Sequence, residues 1–337
     1  MNLTLLLHFL RFDIQTHSLD LEDWIKCLYV SNDLTGRFPN HVASIQLLVE
    51  NKDAPEAAPI AAPKDPRFAE TNLCNGRCYY EDGRFSSANH GAYWHEIEYD
   101  VRTHTIHANL GGQYLHSGQF VVSNIIRPIL QSFLLPFYRV KTLHGAIISK
   151  GVQTILLAGR GGAGKTTMAI AAMQAGYDLL SDDGPFFTTE DDQAYAFASL
   201  DYLHLTEHTL QLFPSLQARV VGEKDARDKF AIPTRKLQRT DAWTQPRPVT
   251  HYVHMHRHEV ATPRIRRMQK GVIHQQLMNE SMIIFRGAAF RESAYPFKAY
   301  SEFIFDLVAK VVRGAEVYEL EFADRHLPDI PALLERL

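Results

Sequence analysis

The stretch ILLAGRGGAGKTTMAIAAMQAG (Ile155–Gly176) decides how the second half of this chain is read. Its first four residues, Ile155–Ala158, are an apolar run short enough for a buried strand. The next eight, Gly159-Arg160-Gly161-Gly162-Ala163-Gly164-Lys165-Thr166, match G-x-x-x-x-G-K-[ST] at every fixed position. An Ala- and Met-rich helix then runs to Gly176, a residue suited to a helix end. A strand, a glycine loop and a helix in that order form a phosphate cradle, the Walker A loop. Glycines let backbone N–H groups converge on phosphate oxygens, and the helix N-terminus adds partial positive charge. Lys165 reaches the β- and γ-phosphates, and the Thr166 hydroxyl can hold Mg²⁺. A glycine-rich turn that merely opens a helix is the plainer alternative, and the flanking strand and helix argue against it.

The run YDLLSDDG (177–184) reads as the next strand, with Asp182, 17 residues beyond Lys165, and Asp183 at its carboxyl end. In an open parallel sheet the ligand crevice lies at the carboxyl ends of the strands, which turns these acids toward the loop. Adjacent side chains on a strand alternate in direction, so one acid can meet Mg²⁺ while the other meets an attacking hydroxyl. A turn closed by Asp-Asp-Gly-Pro is the bland reading of the same residues. Upstream, His144 opens a His-Gly strand 21 residues before Lys165; by itself it reads as a core histidine.

LHGAIIS, GRGGAGKTT and GYDLLSDD together resemble the HPr kinase/phosphorylase family and its relatives, the HPr-kinase-like serine kinases. The resemblance is specific over roughly Leu143 to Gly184. It implies an α/β, phosphoenolpyruvate-carboxykinase-like P-loop kinase domain, and phosphorylation of a protein or peptide hydroxyl, usually Ser, from ATP with Mg²⁺. Carried over, it makes Gly159 to Thr167 the nucleotide-binding segment, Thr166 and Asp183 the metal ligands, Asp182 the general base, and His144 the orienting partner of the acid pair. Departures are Gly161, where the family has Ser, Thr166 for Ser, and the lack of an E-x-R-G-L-G-like second signature. The last makes phosphorolysis and HPr itself poor expectations, and the small kinases beside peptide-modification enzymes, with a precursor peptide as acceptor, fit better. Two other readings stay open: a kinase for a small-molecule hydroxyl, and a non-catalytic ATP-sensing module.

The rest of the chain sets the frame. Its 337 residues suit two domains, with a boundary near Val140 separating an α+β N-terminal domain (1–140) from the kinase domain (141–337). By elimination the N-terminal domain serves acceptor recognition or self-association. LTLLLHFLRF is expected as one strand, SLDLEDWIKCLYV as a helix capped by Ser18 or Asp20, and HVASIQLLVE as a strand. The Ala- and Pro-rich run Lys52–Arg67 carries no periodicity and is expected as a loop. CYY-EDG-RF and the pair WHEIEYDV, THTIHANL carry hairpin signals. FVVSNIIRPILQSFLLPF is expected as a helix near Asn124 to Pro136. Further on, THYVHMHRHEV and VYELEF are expected as strands, and Ser301–Val312 and DIPALLERL as helices.

A net charge of −3 gives no basic field for nucleic acid or an anionic membrane. The N-terminus lacks the basic region and cleavage site of a signal peptide, and three Cys favour a reducing compartment, so a cytoplasmic protein is expected. Weaker candidates are Asp201, whose neighbour Thr206 is a helix cap, and the cations Lys229, Arg235, Lys236, Arg286 and Arg291. His254, His256 and His258 recur at period two on one strand face, read as an exposed face and not a metal site. Cys74 and Cys78 lack the second pair that a structural zinc would need.

Overall fold

The computed structural model describes residues 2–8, 10–16, 32–33, 43–51, 71–73, 76–81, 84–89, 94–100, 102–103, 105–111, 139–198, 202–221, 224, 228–237, 245–281 and 297–337. The expected helices near Ser18 and Asn124, the Lys52–Arg67 loop, Asp201, Arg286, Arg291, Cys27 and Cys74 lie outside them. By contact the chain divides into two units. One comprises Met1–Val140 and Met282–Phe303, the other Lys141–Ser281 and Ile304–Leu337.

The first unit carries a nine-stranded sheet. Its strands are β1 (Asn2–His8), β2 (Leu10–Thr16), β3 (Asn32–Asp33), β4 (Ala43–Asn51), β5 (Thr71–Leu73), β6 (Gly76–Glu81), β7 (Arg84–Asn89), β8 (His95–Asp100) and β9 (Thr105–Leu110). They are ordered β3-β1-β2-β4-β9-β8-β7-β6-β5. The hairpins β6–β7 and β8–β9 form where their turn residues predict them. Along β9, Ile106, Ala108 and Leu110 are buried and His107 is exposed, the alternation of a sheet with one covered face. The single strand expected across Leu3–Phe12 is instead an antiparallel pair that reverses between Leu7 and Leu10. The reason is the polar alternation L-R-F-D-I-Q-T that begins at Leu10 and makes a strand of its own. Arg11 and Asp13 stand on one side of it, 3.1 Å apart.

The second unit is built on a six-stranded mixed sheet. The strands of the unit, in chain order, are β10 (Lys141–Thr142), β11 (Ala146–Lys150), β12 (Gln153–Ala158), β13 (Asp178–Ser181), β14 (Phe186–Glu190), β15 (Gln193–Phe197), β16 (Tyr202–Leu205), β17 (Phe230–Pro233), β18 (Arg247–Pro248), β19 (His251–Arg257), β20 (Arg264–Arg267) and β21 (Glu316–Phe322). The main sheet is ordered β13-β11-β12-β19-β21-β20, with small sheets β10-β14-β15-β18 and β16-β17 beside it. Helices are α1 (Lys165–Gln174), α2 (Glu207–Leu212), α3 (Lys270–Ser281), α4 (Phe297–Gly314, within this unit from Ile304 on) and α5 (Ile330–Leu334).

One face of the main sheet presents Ile148, Ile155, Leu157, Val253, Met255, Leu320 and Phe322, all at most 1% exposed, to α1 and α5. Each such side chain contributes roughly 1.5–3 kcal/mol of burial. Helix α1 is Ala-rich, so it has high helix propensity and lies close to the sheet, with Thr167 to Ala172 all buried. It ends in a pair of Schellman bonds, Tyr177 N to Ala172 O and Gly176 N to Met173 O, both 3.0 Å. No helix among the described residues is long and apolar enough to cross a membrane.

Candidate phosphate site

The topology gathers the predicted residues at one edge of the sheet. Strand β11 is antiparallel to both β12 and β13, so β12 and β13 run parallel, although they are not neighbours. Strands β19 and β21 run parallel to β12 on its other side. The carboxyl ends of β12, β13, β19 and β21 therefore share an edge, and His144, just before β11, enters from the same edge. Such an edge is where open α/β sheets bind ligands.

The glycine loop lies between β12 and α1, as its motif predicts. A side chain would be crowded at two of its glycines, both at positive φ. At Gly159 (φ 146) a Cβ would stand 2.8 Å from the Met255 carbonyl oxygen; at Gly164 (φ 85) it would stand 3.1 Å from Arg257 Cδ and 3.2 Å from Phe322 Cζ. The loop is thus seated on β19 and β21. At Gly161, where the resembled family has Ser, a Cβ would meet nothing within 4 Å, so that departure has no steric cause. Lys165 folds back over the loop, its Nζ donating to the carbonyls of Gly159 (2.8 Å) and Arg160 (3.2 Å). Arg160, Gly161 and Gly162 are exposed, and Ala163, Gly164 and Thr166 half-buried. Thr167 does not face the loop's open side. It is buried, with its hydroxyl 3.5 Å from that of Thr209, which belongs to the Thr206-capped start of α2.

The two acids divide between two partners. The Thr166 hydroxyl donates to Asp182 Oδ2 at 3.1 Å, and Asp182 is only 3% exposed. His144 Nδ1 lies 3.1 Å from Asp183 Oδ1, and both of those side chains are open to solvent, 50% and 40% exposed. The resemblance gives the metal to Thr166 and Asp183 and the base role to Asp182, with His144 beside the two acids; here Thr166 meets Asp182 and His144 meets Asp183. A bulge supplies the physical reason. The β11–β13 register steps from Ile147↔Ser181 to Ile148↔Leu179, skipping Leu180. One inserted residue reverses every facing beyond it and commonly re-aims side chains at a site. Simple alternation from Leu179 does not foresee that.

Two features of the edge have no counterpart in the sequence reading. Arg257, whose stem meets Gly164, donates from Nη2 to Asp324 Oδ2 at 2.5 Å, and the same oxygen lies 2.7 Å from His208 Nε2. Burial opposes the Asp324 charge, but the bonds from Arg257 and His208 outweigh it and hold its pKa below the usual carboxylate value. At least 49 residues separate any two of these three in sequence, so only the fold joins them. The second feature is the histidine strand. β19 is an interior strand and His254 is 6% exposed, so the expected exposed histidine face is buried at that position, while His256 is 42% exposed and His258 is exposed. The His254 ring centroid is 4.8 Å from that of His256, whose Nε2 pairs with Glu319 at 2.9 Å, while His258 lies beyond the strand. Among the described residues, no cluster of three or more His, Cys, Asp or Glu side chains is arranged to hold a metal ion. Of the weaker cations, Lys236 is exposed in a 3₁₀ turn and Lys229 adjoins β17.

No protein-family model matches this chain, and no curated protein matches it. Among solved structures, the chain is similar to the Hpr(Ser) kinase/phosphatase from Coxiella burnetii, at 14% identity over 58% of this chain and 94% of that one, with a TM-score of 0.32. A likeness of that size leaves the chemistry to be read from the residues themselves.

The residues fit a nucleotide and a magnesium ion. The cradle would crowd a side chain at Gly159 and Gly164, a lysine stands over it, and a hydroxyl and a carboxylate oxygen adjoin at Thr166 and Asp182. Hard oxygen donors of that kind suit Mg²⁺, which takes one or two protein ligands and completes its shell with water and phosphate oxygens.

Proposed function

We propose that this chain is an ATP-dependent phosphotransferase that moves the γ-phosphoryl group to a hydroxyl, taken as a seryl side chain of a protein or peptide. The observation that carries the reading is the meeting of the glycine loop, the Thr166–Asp182 pair and the His144–Asp183 pair at one sheet edge. Backbone N–H groups of Gly161 to Lys165 cradle the phosphates, and Lys165 exchanges its loop carbonyls for phosphate oxygen. Thr166 and Asp182 would hold Mg²⁺, which offsets the charge that develops on the phosphate oxygens.

The observed contacts favour exchanged roles for the acids. Asp182, buried against the loop hydroxyl, is suited to the metal side. Asp183, half-open and oriented by His144, is suited to receive the acceptor. Its carboxylate takes the hydroxyl proton as the acceptor oxygen bonds to the γ-phosphorus, the bond to the bridging oxygen breaks, and ADP leaves.

The test is transfer from [γ-³²P]ATP with Mg²⁺ to seryl peptides, run beside nucleotide-binding measurements. Asp183→Asn should lower turnover by about 10²–10⁴ while ATP still binds. Asp182→Asn should raise the Mg²⁺ concentration needed for binding. Full transfer by both variants would refute the reading, and ATP binding with no transfer to any hydroxyl would leave a nucleotide-sensing module.

A further inference from the structure

We propose that His254 is a ligand of the terminal phosphate, donating its Nε2–H to a phosphate oxygen from the β19 wall of the site. The inference rests on the nucleotide reading above.

Position is the first ground. His254 pairs in register with Ala158, the last residue before the glycine loop, and the two share a face of the sheet. Strand β19 continues past that point beside the loop, so that the Met255 carbonyl closes the space at Gly159. His254 thus stands at the strand end that feeds the loop, on the face opposite to Met255 and Phe322.

Preparation is the second. His254 Nδ1 lies 3.1 Å from the Tyr252 hydroxyl, and Tyr252 is fully buried. With that hydroxyl donating to Nδ1, the ring proton sits on Nε2, which becomes the nitrogen left to meet a ligand. His256 packs against the ring and is itself held by Glu319, whose other partner is Arg266 at 2.5 Å. A chain of side chains, Tyr252, His254, His256, Glu319 and Arg266, therefore fixes the orientation of one imidazole.

Charge state is the third and supports the other two. Burial first, and then His256, lower the His254 pKa; Glu319 opposes them, and Lys165 and Arg160 of the loop add to the lowering. A neutral imidazole donates one hydrogen bond and adds no charge beside Lys165.

A histidine that served packing alone could be replaced by another ring of its size. The experiment measures binding of a non-hydrolysable ATP analogue and of ADP, each with Mg²⁺, to the full chain. His254→Phe should weaken the ATP analogue by about tenfold to a hundredfold, the value of a hydrogen bond to a charged group, and ADP far less. His254→Asn, which keeps a donor, should recover part of that loss. In the unsubstituted chain, ¹⁵N spectra should show the Nε2–H tautomer and a shift of that nitrogen when the analogue is added. This measurement decides the matter if the Phe variant does not fold. Equal affinities in the Phe variant, or an unmoved imidazole resonance, would overturn the inference. Should Lys165→Ala abolish binding while His254→Phe leaves it intact, only the histidine assignment falls; a wild-type chain that binds no nucleotide brings down both.

Discussion

Gly145→Ala puts the geometry of the site to a quantitative test. Gly145 follows His144 and leads into β11, and a Cβ there would stand 2.7 Å from both Leu156 Cδ1 and the Leu157 carbonyl oxygen, where ordinary contact begins at 3.4 Å. The leucine methyl can turn away. The carbonyl cannot, because it belongs to β12, which pairs with β11 over Ala146↔Leu157 to Lys150↔Gln153. The alanine must therefore pry apart the two strands at the end that carries His144. Overpacking of this kind costs about 1–3 kcal/mol, and the lower chain entropy of alanine in the unfolded state returns about 0.4–1 kcal/mol. The expected net loss is about 1–2 kcal/mol. Urea unfolding measures it, and hydrogen exchange of the β11 and β12 amides locates it. The same displacement moves His144 off Asp183, so turnover should fall more than nucleotide binding does. An alanine variant as stable as the wild type, with unchanged exchange in β11, would refute the close approach.

Two further perturbations follow from the second unit. Lys141 is 1% exposed, and burial pushes its pKa from 10.5 down to about 7. Between those values the unfolded chain holds a proton that the folded chain has lost, so stability rises with pH from about 7 to 10.5 and is flat in this respect below. Lys141→Met should remove that rise and stabilise the fold at pH 7 by about 1–4 kcal/mol, as replacement of buried charges does; thermal melts at pH 7 and pH 9.5 check both. Asp324→Asn breaks the ion pair beneath Gly164. The side chains of that pair are 22% and 29% exposed, between the surface and buried limits, so a loss of about 1–2 kcal/mol is expected. Because the Asp324 pKa is held low, its contribution is present above the ordinary carboxylate pKa and lost as pH falls through the lowered value, which acid titration of the variant and wild type would reveal.

Local chemistry made part of this molecule legible. The strand–loop–helix unit at Ile155–Gly176 can be read because an apolar run, a glycine motif and an Ala-rich helix each carry their own period. The β6–β7 hairpin and the capping of α2 by Thr206 can be read for the same reason. The β14–β15 hairpin goes unread, although its Asp191-Asp192 pair is turn chemistry and Asp191 adopts the left-handed conformation (φ 48). The rest of what stayed hidden is non-local. Nothing in YDLLSDDG announces the skipped Leu180 that gives Asp182 to Thr166 and Asp183 to His144. The reversal between Leu7 and Leu10 uses no Gly, Pro, Asn or Asp. Strand β20, Arg-Ile-Arg-Arg, has no apolar alternation; it pairs antiparallel with β21, where Arg266 and Arg267 meet Glu319 and Glu316. His254 reads as a surface residue until β19 is known to lie between β12 and β21.

The most direct test of the central claim is a crystal structure of the full chain with Mg²⁺ and a non-hydrolysable ATP analogue. The terminal phosphate should lie under the Lys165 ammonium, the ion should bridge it to Thr166 and Asp182, and Asp183 should face the acceptor side with His144 behind it. A nucleotide seated elsewhere, or one whose terminal phosphate is reached by neither aspartate, would contradict the account.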